Sequence, residues 1–184
     1  MKKGLRKPIV NTINQKLAEL LPNFVPAEKG LKQYFPTDLP YVYPVSDHLC
    51  LHLIFDFNDR EDSIATLVGW SPKKVFPSPV DRNFLPLRQI DTSAPRPAAI
   101  LWLSDFAGDR EVCCHFSTPD VILLSRSVLG ECADGLLNIP GILPNELGIE
   151  EKSGMFVSHI VNRVNTYFLP FVEKHVLPRS FGWN

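Results

Sequence analysis

The 184-residue sequence has little charge of one sign, few cysteines and no long apolar run. Its formal net charge of −1 gives no basic excess with which to neutralise a phosphate backbone, so a general nucleic-acid binder is not expected. The purely apolar stretches are only a few residues long, far short of a membrane span, so no membrane association is expected. The opening MKKGLRKP is basic, but Asn11, Asn14, Gln15 and Lys16 interrupt the apolar segment that a secretory signal needs. A cytoplasmic location follows as the expectation, with the four cysteines Cys50, Cys113, Cys114 and Cys132 reduced. Also lacking are a P-loop, Gly-x-Gly-x-x-Gly, His-Glu-x-x-His and Cys-x-x-Cys, so no recognised catalytic or cofactor motif is present.

What the sequence does contain is proline: 17 residues, about twice ordinary usage, gathered at 22–44 and 72–97. Ordered loops between stretches of regular structure fit this distribution better than a low-complexity linker does. The hydrophobic share of 45% and charged share of 21% are those of a globular chain. The length suits one domain over 1–184, with 179–184 as a C-terminal tail.

Apolar residues at three- and four-residue steps (Ile9, Ile13, Leu17, Leu20, Leu21) predict a helix over 8–21, stopped by Pro22. Tyr34–Phe35 and Tyr41–Val45 read as short edge strands broken by proline. The clearest β signal is the alternation of Leu49, Leu51, Leu53, Phe55 and Phe57 with Cys50, His52, Ile54 and Asp56. A polar turn and a second strand, Ile64–Trp70, complete a hairpin. Ala99–Phe106 and Glu111–Phe116 read as another hairpin, with a helix over 98–105 as its rival. Thr118-Pro119-Asp120 opens a predicted helix running to about Leu136. A last helix over 153–176 carries Phe156, Ile160, Val164, Tyr167, Phe168, Phe171 and Val172 toward the core, with a kink at Pro170. Terminal helices around sheet-forming segments predict an α+β domain, an antiparallel sheet packed against the N- and C-terminal helices.

Several phrases give the chain a resemblance to a loose group of bacterial domains of unknown function. They are the first helix ending in Leu-Pro, the strand ending Thr66-Leu67-Val68-Gly69-Trp70-Ser71-Pro72, Ile100-Leu101-Trp102-Leu103 followed by Gly108-Asp109, and Tyr167-Phe168-Leu169-Pro170-Phe171 in the last helix. Some proteins of this kind are similar to immunity partners of bacterial toxins. That resemblance implies a protein partner and no catalytic residue.

Two Cys-x-His pairs, Cys50/His52 and Cys113/His115, are the residues best suited to a metal. Positions two apart share a face of a strand, so adjacent strands would converge four soft ligands on one zinc ion. Ordinary packing of small buried cysteines is the competing and preferred reading, so no cofactor is expected. Asp56, Asp59, Glu61 and Asp62 form an acidic hairpin tip, read mainly as turn chemistry. Cys114 and His115 point to opposite faces as strand neighbours and make no dyad. His159 and Arg163 are read as a solvated helix flank, and His175 as a residue favoured at a helix C-terminus. Phe181 and Trp183, in the tail, are candidate partner anchors, with docking back on the body as the preferred reading for Trp183.

Taken together, these residues favour a non-catalytic binding or interaction module, immunity-like in the direction the resemblance points. Its contact surface would be the loops 36–48 and 71–88 with the tail. A hydrolase, metal-dependent or otherwise, with an unrecognised site is the first alternative, and a small-ligand binder the second. The oligomeric state is not specified by the sequence.

Overall fold

The computed structural model describes residues 4–27, 38–58, 63–72, 98–103, 106, the backbone of 113–115, and 148–178. Helix α1 spans Arg6–Leu20. Ile9, Ile13 and Leu17 recur one turn apart and are fully buried, so the apolar step does set the inner face of the helix. Leu20, expected in the same stripe, is 37% exposed, and Leu21, just past the last turn, is buried in its place. Leu21 has left the helical region (φ −134°, ψ 62°) because Pro22 crowds a helical conformation in the residue before it.

Beyond α1 come six strands: β1 (Val25–Pro26), β2 (Leu39–Pro44), β3 (Leu49–Asn58), β4 (Ser63–Pro72), β5 (Ala99–Trp102) and β6 (Cys113–His115). They form one antiparallel sheet in the order β1-β2-β3-β4-β5, with β6 also on β4. β3 and β4 pair along their whole length, from Leu49 opposite Pro72 to Asn58 opposite Ser63, so the expected hairpin is present and longer than its apolar core suggested.

Two expectations are corrected by the sheet. The segments around 99–106 and 111–116 do not pair with each other. β5 lies along Leu67–Trp70 of β4 and β6 along Ser63–Ala65, end to end on the same edge. β4 is long enough to seat both, and a local apolar pattern carries no information on whether two strands meet each other or a common neighbour. The segment at 99–102 is strand, whereas Leu103 and Phe106, expected in the same strand, are helical.

The second correction concerns 36–48, read as loop with edge strands. Leu39–Pro44 is an inner strand, paired with β3 along its length and with β1 on its other side. The Pro40 carbonyl accepts a hydrogen bond from the Ala27 amide on the β1 side (2.9 Å). In an extended strand the N and C=O of one residue look the same way, so the proline nitrogens at 40 and 44 face away from β3. The ladder to β3 therefore loses no donor. The β2–β3 turn is closed by Ser46, whose Oγ accepts from the amides of His48 and Leu49 at 3.2 and 3.1 Å.

The C-terminal helix begins at Ile149 rather than 153. Helix α2 covers Ile149–Arg163, a π turn Val164–Phe168, and helix α3 Leu169–His175. Ser153, expected at the start, is buried inside α2 and donates its hydroxyl to the Ile149 carbonyl (2.6 Å). The kink expected at Pro170 takes the form of the π turn. Proline has no N–H to return to the preceding turn, and the chain widens just before it, with the Leu169 amide bonded to the Val164 carbonyl five residues back. The widened turn changes the helical phase of the residues after Arg163. Tyr167, expected in the core, is 40% exposed, whereas Phe168 and Val172 are buried.

Leu49, Leu51, Leu53, Phe55 and Phe57 turn one face of β3 into the main core, joined by Ile64, Val68 and Trp70 of β4 and Leu101 of β5. The helices cover this face. Phe55 packs edge-on against Tyr41 (5.9 Å between ring centres) and Phe156 (6.2 Å), and Trp70 lies against Phe171 (5.8 Å). The Tyr41 hydroxyl donates to Asn14 Oδ1 at 2.6 Å, tying α1 to the sheet. The chain is thus an α+β fold with helices from both ends on one side of an antiparallel sheet. Among the described residues no helix is long and apolar enough to cross a membrane. The expected helix over 118–136, the expected strand at Tyr34–Phe35, the residues Asp59, Glu61 and Asp62, the segment 73–88 and the tail with Phe181 and Trp183 lie outside the described residues.

Candidate functional site

The residues of β3 that alternate with its leucines face the other side of the sheet. Cys50, His52 and Ile54 lie there, together with Leu67, Gly69 and Ser71 of β4 and Ile100 and Trp102 of β5. Ala27, Ile54, Leu67 and Ile100 make a small apolar cluster, with Val42 and Trp102 half-buried beside it. Both faces of the central hairpin are therefore buried, where the sequence suggested a half-solvated second face for the Cys-x-His residues.

His52 sits in this layer with no exposed surface. In register it lies between Val42 and Gly69, while Cys50 lies between Pro44 and Ser71. The imidazole reaches diagonally to the row of Cys50, placing Nε2 2.7 Å from Ser71 Oγ. The Ser71 hydroxyl donates to the Pro72 carbonyl at 3.2 Å, so its oxygen accepts and His52 carries its proton on Nε2. That assignment leaves Nδ1 as a buried lone pair, without a hydrogen-bond partner among the described residues. Burial penalises the imidazolium and pulls the His52 pKa down from 6.5 to about 4. At neutral pH the ring is an uncharged donor to serine. Cys50 is a buried cysteine on the same face.

Gly69 explains how this layer closes on the β5 side. A Cβ there would strike the backbone carbonyl of Ala99, so only glycine lets the two strands approach as they do. Sequence reasoning missed Ser71, read only as the end of the hairpin. Extending the β3–β4 ladder two residues past Trp70 is the signal that places it beside Cys50 and His52.

The strand register also places the other Cys-x-His pair. Cys113 is opposite Ala65, with Asp56 across from it, and His115 is opposite Ser63, with Asn58 beyond. Both pairs share one face of the sheet, but the row of Cys113 is four residues from that of His52, about 13 Å along the strands. Cys50 and His52 are thus brought together, Cys113 and His115 are brought together, and the two pairs stand at different levels. Among the described residues no group of three or more His, Cys, Asp or Glu forms a metal-holding cluster.

Elsewhere, Arg163 Nε donates to His159 Nε2 at 2.6 Å, and Arg163 is buried rather than on a solvated flank. Its long apolar stem allows this burial. His175 lies in the last turn of α3 and packs on Phe171, 4.9 Å between ring centres. The phenol of Tyr41 is pushed above its ordinary range by burial. No protein-family model, curated protein or solved structure matches the chain.

Proposed function

We propose that the chain is a non-catalytic module that binds another protein, in the manner of an immunity-type antidote. The observation that carries this reading is the burial of His52. A general base or nucleophile must touch its substrate and hold a usable proton affinity near neutral pH. His52 has no exposed surface, its pKa is depressed to about 4, and Ser71 and Cys50 are buried with it. This histidine–serine pair serves the sheet. The contact surface in this proposal is the exposed turn at Ser46–His48 with the 73–88 segment and the tail, where Phe181 and Trp183 act as aromatic anchors.

Two measurements test the reading together. Serine- and cysteine-directed electrophiles applied to the folded protein are expected to leave Ser71 and Cys50 unlabelled, and Cys50 to react only after denaturation. A partner recovered with the tagged chain from its native cells is expected to re-form a complex of fixed stoichiometry from purified components. That complex should weaken when 179–184 are deleted while the melting temperature holds. Labelling of Ser71 in the folded state, accompanied by turnover of an ester or amide substrate, overturns the proposal in favour of a hydrolase.

A further inference from the structure

We draw no further inference here: the strongest candidate, the side-chain cluster of His52, Ser71 and Cys50 on the second face of the sheet, where the His52 Nδ1 is buried without a hydrogen-bond partner among the described residues, carries nothing because nothing in the structure shows what covers that face.

Discussion

Acid should loosen this protein through a single imidazole, and the size of the effect can be worked from its burial. His52 is fully buried and holds its pKa near 4, against 6.5 in an exposed chain. Between those values the unfolded chain takes up a proton that the native chain refuses, so lowering the pH favours unfolding. The stability is complete above pH 6.5 and is shed progressively down to pH 4. At 1.36 kcal/mol per pKa unit the loss is about 3 kcal/mol, a large fraction of an ordinary domain's 5–15 kcal/mol. The perturbation to compare is His52→Gln, which removes the titration and keeps a group able to donate toward Ser71. Urea unfolding at steps from pH 7.5 to pH 4 should show the parent losing about 3 kcal/mol more than the variant across that window. Carboxylates titrate in both proteins and cancel in the difference, and equal denaturant slopes confirm that the same surface is being exposed. Parallel stability profiles would show that water or a polar group relieves the ring's burial, and the argument from desolvation would then fail.

Other outcomes come from the packing. Gly69→Ala forces a methyl against the Ala99 carbonyl and should cost about 1–3 kcal/mol in chemical denaturation; an unchanged midpoint would mean that β5 is free to move away. Tyr41→Phe should cost about 1 kcal/mol, and the same change made on Asn14→Ala should cost much less, because the hydrogen bond between them is already gone. Phe55→Ala, between Tyr41 and Phe156, should cost about 3–5 kcal/mol, enough to threaten folding at 37 °C; a loss below about 1 kcal/mol would contradict its place at the centre of the core.

The parts of the fold that could be read from the sequence were those with strong local periodicity. Leu49 to Phe57 announces a strand by alternation and also says which side is oily, and Ile9, Ile13 and Leu17 do the same for α1. Pairing was less legible. Pro40 and Pro44 argue against an inner strand until one knows that their nitrogens face away from β3. The partners of β5 and β6 depend on the length of β4, which no local pattern states. Tyr167 fell on the wrong side because the periodicity assumes 3.6 residues per turn and the π turn breaks that count. At the candidate site, Cys50 and His52 were legible as a same-face pair. Ser71 was not, because its role arises only from a cross-strand diagonal, and the separation of the two Cys-x-His pairs required the register.

The prolines of β2 have a consequence for the protein in a crowded solution. A strand at the rim of a sheet is a template on which a passing chain can lay itself, alternating amide to carbonyl. On the outward side of β2, Pro40 and Pro44 bring no amide, the Pro40 carbonyl is taken by the Ala27 amide, and the two residues of β1, one of them Pro26, pair with Tyr41 and Val42. An incoming strand would find few amides to pair with on this side, so the prolines and the two-residue β1 blunt this border of the sheet as a template.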